Sequence, residues 1–117
     1  RFVSRSVQLY VNDILVSCDK ILRYTAGLSF DGFIEDERTF DAVVRNLQLV
    51  GEAVKNLPDD LCDRYPEMEW RKIAGLRNIL VHAYFTVENE IIWDVVQSKI
   101  PNLKATTAKI QHDLSDS

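Results

Sequence analysis

The sequence predicts an all-α protein built as an antiparallel helical bundle of about four to five helices. Three observations carry this. Two long stretches, 6–27 and 35–57, repeat apolar residues every three or four positions, the period of an amphipathic helix. Only four glycines and three prolines occur in 117 residues, too few for the many hairpins of an all-β chain. Hydrophobic residues make up 46% of the chain, enough for one buried core at this length. A single domain over 1–117 follows, with 1–5 and 113–117 expected to fray.

In the first helix, 6–27, Val7, Val11, Ile14, Cys18, Ile21 and Thr25 alternate steps of four and three, and Tyr10, Leu15 and Leu22 widen the stripe. Ser6 can cap its start and Gly27 can stop it. Leu28 to Ile34 carries Ser29, Asp31 and Gly32 and reads as a loop. The second helix, 35–57, opens on Glu35, Asp36 and Glu37, where the helix dipole favours negative charge. Its stripe of Phe40, Val43, Leu47, Val50, Val54 and Leu57 is the strongest periodic signal in the chain. Two helices with matching stripes frame a bundle. Pro58 ends the second helix, a short helical piece runs from Leu61 to Tyr65, and Pro66 ends that. A third main helix spans 68–83 with Trp70, Ile73, Leu76, Leu80 and Ala83 inward. Thr86 can cap a helix over 87–99, with Val87, Ile91, Trp93 to Val96 and Ile100 apolar. Pro101 kinks or restarts it, and 102–113 completes the core through Leu103, Ala108 and Ile110.

The formal net charge is −4 and the pI about 5.1. A protein that wraps nucleic acid with its whole surface is therefore excluded, and any RNA contact needs a local basic patch. Arg64, Arg71, Lys72 and Arg77 form the one dense basic cluster. Cys18 and Cys62 share no metal-ligand spacing and are too few for a disulfide framework, which points to a reducing cytoplasm. No leader-like segment or bilayer-spanning apolar run is visible, so no membrane association is expected.

The chemistry concentrates in 70–88, WRKIAGLRNILVHAYFTVE. Arg77 carries a permanent planar charge suited to a forked phosphate contact. His82 can exchange a proton near neutral pH, and Tyr84 adds a phenol. On a regular helix a five-residue step turns about 140° and a seven-residue step returns to within about 20°. Arg77 and Tyr84 would then share a face that His82 does not. Three arrangements bring Arg77 and His82 together: the helix unwinds near His82, Arg77 reaches round, or a second copy of the chain completes the site across a twofold axis. With such groups no metal or cofactor is needed. The histidine can act as base on a ribose 2′-hydroxyl, and the arginine can stabilise the phosphorane. The products would be a 2′,3′-cyclic phosphate and a 5′-hydroxyl, which restricts the substrate to RNA.

The motif Arg77-x4-His82-x-Tyr84 resembles the signature of the HEPN superfamily in its HepT branch. Asp41 to Asn46, Gly51-Glu52-Ala53, Trp70, Ile73, Gly75 to Asn78 and Trp93 extend the resemblance over nearly the whole chain. It implies a HEPN-like bundle that dimerises, and a metal-independent ribonuclease with Arg77 and His82 as the active pair. It implies that Asn78 supports them, as the polar residue that commonly follows the arginine. It also implies the toxin of a toxin–antitoxin pair whose partner, an MntA-like nucleotidyltransferase, silences it by adding AMP to Tyr84. Nucleotide phosphates there would put bulk and negative charge into the cleft that admits RNA.

Other readings stand beside these. His82 alone would read as a satisfied helix-end histidine. Arg77 can instead pair with Glu52, since Gly51 permits close helix approach, and an acid held there could also orient the arginine. Tyr84 can be an interface aromatic, and Trp70 and Trp93 core or dimer contacts. Arg45 and Asn46 can line the cleft or be exposed helix residues; Cys18 reads as core and His112 as a solvated tail residue. A rival function is a non-catalytic helical partner that binds nucleotide or substrate for a nucleotidyltransferase; a plain dimerisation module is a third.

Overall fold

The computed structural model describes residues 5–79 and 89–115. Every regular element among them is helical. Helix α1, Arg5–Thr25, buries Val11, Ile14, Cys18, Ile21 and Thr25, the alternating stripe that its sequence carries. The Thr25 hydroxyl donates to the Ile21 carbonyl, which satisfies a polar group that would otherwise be costly in the core. Gly27 then takes φ 77°, the left-handed conformation that a side chain disfavours, and the chain turns.

The segment 28–34, expected as a loop, contains a short helix instead. Helix α2, Phe30–Glu35, is capped by Ser29, whose hydroxyl accepts from the Gly32 amide at 3.1 Å. Tertiary packing overrides the turn-forming residues here. Phe33 is fully buried, its ring centroid 4.9 Å from Trp93 and 5.3 Å from Phe40. Trp93 is thus a half-buried core contact, as one reading had it.

Helix α3, Glu37–Lys55, starts two residues later than expected because Asp36 is its cap. The Asp36 carboxylate accepts from the Thr39 amide and hydroxyl, at 3.2 and 2.8 Å, and these bonds lower its pKa. Val43, Leu47, Val50 and Val54 are buried, and Phe40 packs partly buried against them. Asn46 is buried too, donating to the Ala42 carbonyl at 2.8 Å, so it belongs to the helix interior rather than an exposed face.

After Pro58, helix α4, Asp59–Asp63, places Leu61 and Tyr65 in the core. Helix α5, Trp70–Ala74, follows and tightens into a 3₁₀ turn, Gly75–Asn78. The rest of the expected 68–83 helix, with Leu80 and Ala83, lies outside the described residues.

Helix α6, Asn89–Asp94, passes through a π-helical turn, Val95–Lys99, into helix α7, Ile100–Ser115. The Ile100 amide reaches back five residues to the Val95 carbonyl. Pro101 offers no amide hydrogen and its ring crowds the carbonyl four residues back, and the widened turn precedes it without a break. The stripe that follows is Ile100, Leu103, Thr107 and Ile110; Ala108, expected inward, is exposed. Helix α7 is described to Ser115, with Leu114 against the core and the Ser115 hydroxyl on the Gln111 carbonyl.

Helix α1 packs between α3 and α7, and α3 also receives α5 and its 3₁₀ turn. The scaffold is therefore α1–α3–α7, and the turn bearing Arg77 is mounted on α3. No helix among the described residues is long and apolar enough to cross a membrane.

Candidate functional site

Arg77 reaches its place through a chain of tethers. The Tyr65 hydroxyl donates to Asp113 Oδ2 at 2.5 Å, which ties the segment before α5 to α7. The Trp70 indole N–H donates to the Tyr65 carbonyl at 3.0 Å, which fixes the first residue of α5. Glu69, just before α5, receives Lys72 and Lys99, each Nζ at 2.9 Å from a carboxylate oxygen. Those bonds, Lys72 first and then Lys99, pull the Glu69 carboxyl down to about 2. Lys99 is pushed up by the same pairing. Sequence reasoning missed Glu69 and Tyr65–Asp113. The i,i+3 spacing of Glu69 and Lys72 was visible, whereas contacts spanning 30 and 48 residues leave no local signal.

Ile73 and Ile79 are buried on either side of the turn, and Leu76 is partly buried. Arg77 is half-buried and Asn78 exposed. The turn lies directly on Gly51 of α3: a Cβ built there would stand 2.8 Å from the Leu76 carbonyl carbon and 3.0 Å from Arg77 Cα, and closer still to the Arg77 amide nitrogen. Only a residue without a side chain admits backbone this close. The close approach expected at Gly51 is therefore present, and its neighbour across the contact is the arginine's own backbone.

The Arg77–Glu52 ion pair considered from the sequence is absent. Glu52, one residue on from Gly51, turns away to the exposed groove between α1 and α3, where it lies with Tyr10, Lys20 and Leu49. Among the described residues Arg77 has no carboxylate within ion-pairing distance. Among the described residues this half-buried arginine is uncommitted, which leaves its fork of donors for an external anion. Exposed Arg64 and Arg71 extend positive charge along the same segment, while Lys72 of the basic cluster is already engaged by Glu69.

His82 and Tyr84 lie outside the described residues. Arg77 itself sits in the 3₁₀ turn Gly75–Asn78 rather than on a regular α-helix.

A cleft of about 800 Å³ opens beside α5, lined by Val54, Leu57, Cys62, Met68 and Trp70 with Arg71 and Lys72 at its edge. It does not include Arg77, and its acidic Asp59 and Asp63 balance the bases, so chemistry on a phosphate is better served at the 3₁₀ turn. The cysteines offer no nucleophile. Burial pushes the Cys18 thiol up to about 12, and burial with nearby Asp59, Asp63 and Asp60 raises Cys62. No group of three or more metal-ligating side chains gathers among the described residues.

Comparison with known proteins bears on this arrangement. The family model described as ribonuclease HepT-like matches residues 14–110. A Methanocaldococcus jannaschii protein named "Putative RNase MJ0127" is 44% identical over 98 residues, covering 84% of this chain and 81% of that protein. A Thermococcus cleftensis protein named "Probable ribonuclease HepT" is 38% identical over 109 residues, covering 93% and 99%. No solved structure gives a significant match.

Proposed function

The chain belongs to the ribonuclease HepT-like family, and from that premise we propose that it is the toxin of a toxin–antitoxin pair, an endoribonuclease that cleaves RNA without a metal ion. The observation that carries this reading is Arg77, seated on a tight turn, half-buried and without a carboxylate partner among the described residues. A partly exposed arginine with no acid beside it among the described residues supports an anion arriving with the substrate.

In this reading Arg77 grips the scissile phosphate and His82, five residues on, takes the proton of the ribose 2′-hydroxyl. The 2′ oxygen attacks the adjacent phosphorus, and Arg77 balances the extra charge on the phosphorane oxygens. The bond from phosphorus to the 5′ oxygen breaks, and that oxygen takes up a proton. The products are a 2′,3′-cyclic phosphate and a 5′-hydroxyl. Asn78 adds a polar contact beside the arginine. The active form is a homodimer, with the composite Arg/His site at its interface.

The antitoxin is a nucleotidyltransferase that transfers AMP to the Tyr84 hydroxyl, two residues beyond His82. The phenol oxygen forms a bond to the α-phosphorus of ATP and pyrophosphate leaves. The added phosphate repels RNA from the Arg77 fork and occupies its donors.

Two measurements test the proposal. Inducing this chain alone should arrest growth, and Arg77→Ala or His82→Ala should abolish the arrest while the protein stays folded. Coexpression with its genomic neighbour should raise the intact mass by whole AMP units, and Tyr84→Phe should remove the gain. A chain that is harmless when induced, or that gains AMP equally in Tyr84→Phe, contradicts the respective step.

A further inference from the structure

We infer that Gly51 is the positioning residue for Arg77: by pressing bare backbone against the turn, α3 sets where the guanidinium stands. The inference rests on the proposed role of Arg77 at the substrate phosphate. It goes beyond that role by naming the part of the scaffold that aims it.

Glycine is a poor choice for the middle of α3, where it weakens the helix by about 1 kcal/mol relative to alanine. The local sequence around it, Leu49-Val50-Gly51-Glu52-Ala53, otherwise suits a helix. The residue is buried, and its Cβ position is filled by main-chain atoms of Leu76 and Arg77. Backbone cannot swing aside as the end of a flexible side chain can, so any side chain at 51 must push the turn itself. The same turn contains an internal control. A Cβ at Gly75 meets nothing within 4 Å.

Buried Ile73 and Ile79 flank the turn in sequence and anchor its two ends in the core. Arg77 is thus seated by a backbone contact, and among the described residues no carboxylate pairs with its side chain. Among the described residues, main-chain contact takes the place of a positioning carboxylate. Misplacement of a reacting group by about 1 Å can cost ~10²-fold in rate. A methyl at 51 demands a shift approaching that size.

The test uses the full chain cleaving a short single-stranded RNA, with backbone and arginine side-chain signals read by NMR. The wild-type protein should show a strong NOE between a Gly51 α-proton and the Arg77 amide proton; its absence overturns the inference without any variant. Gly51→Ala should move the Arg77 side-chain Nε–Hε signal and lower kcat at least ~10-fold with KM within about 2-fold, whereas Gly75→Ala should leave both within about 2-fold. In an Arg77→Lys background the same Gly51→Ala change should cost less than about 2-fold, since the group it aims is already altered. If Gly51→Ala folds incompletely, trimethylamine N-oxide restores the folded state for the same measurements. Equal losses in both backgrounds, or a loss in KM alone, would show a merely structural glycine. If the wild-type chain does not cleave RNA, the proposed reaction falls, and the NOE and the Arg77 signal still decide whether Gly51 aims that side chain.

Discussion

Replacing Tyr65 by phenylalanine removes one atom and isolates one tether. The ring of Tyr65 is 6% exposed, so phenylalanine fills the same space and leaves no cavity. What is lost is the 2.5 Å bond to the Asp113 carboxylate, which spans 48 residues and joins the approach to α5 with the end of α7. A hydrogen bond to a charged group contributes about 1.5–3 kcal/mol net. Asp113 is exposed and regains water when abandoned, so the contribution falls to the low end or just below it, about 1–1.5 kcal/mol. For a chain of 117 residues that lowers Tm by about 4–6 °C. The assay is thermal and urea unfolding followed by circular dichroism, on Tyr65→Phe, Asp113→Asn and the double variant. The double variant should cost clearly less than the sum of the two singles, because both remove the same bond. The pH dependence carries a further check. Burial first, then the bond to Asp113, raises the Tyr65 hydroxyl to about 12. A folded-state value above the unfolded one near 10 means the stabilisation is whole below pH 10 and is lost as pH rises toward 12. The gap between wild type and Tyr65→Phe should therefore hold from pH 7 to about 10 and shrink above it. A Tyr65→Phe variant as stable as wild type, or strict additivity with Asp113→Asn, would refute the tether.

Other consequences follow from the same structure. Leu103→Ala, at a fully buried position of α7, should destabilise by about 2–5 kcal/mol, measured by urea unfolding; a loss below about 1 kcal/mol would mean that α7 is not part of the core. Glu69 should titrate near pH 2 when its carboxyl carbon is followed by NMR. Its folded value is depressed, so its contribution is present above the unfolded value near 4.5 and is lost as pH falls toward 2; titration at 4.5 would show that Lys72 and Lys99 do not hold it.

Much of the scaffold was legible because its helices obey one rule. In α1 and α3 the apolar positions recur at three and four, and those residues are the buried ones. The rule failed where tertiary contacts outweigh local preference. Ser29, Asp31 and Gly32 look like a loop, yet Phe33 meeting Trp93 and Phe40 draws the segment into a helix. The inward stripe of α7 follows a π turn that no spacing announces, so Thr107 is buried where Ala108 was expected. At the candidate site, a sequence shows that Gly51 allows close approach, but not what approaches. Arg77 backbone fills that space, and Glu52 turns to the other side of α3. The motif brought Arg77, His82 and Tyr84 together as a pattern; of these, only Arg77 falls in the described residues.

The central claim is that Arg77 and His82 cleave RNA through the 2′-hydroxyl without a metal ion. The direct measurement is incubation of the purified chain with single-stranded RNA in excess EDTA, followed by end-group analysis. Cleavage leaving 2′,3′-cyclic phosphate and 5′-hydroxyl ends is predicted, with rates falling at least ~10²-fold in Arg77→Ala and His82→Ala and no cleavage of 2′-deoxy substrate. Activity that EDTA abolishes, that leaves 5′-phosphate ends, or that survives both substitutions would contradict it.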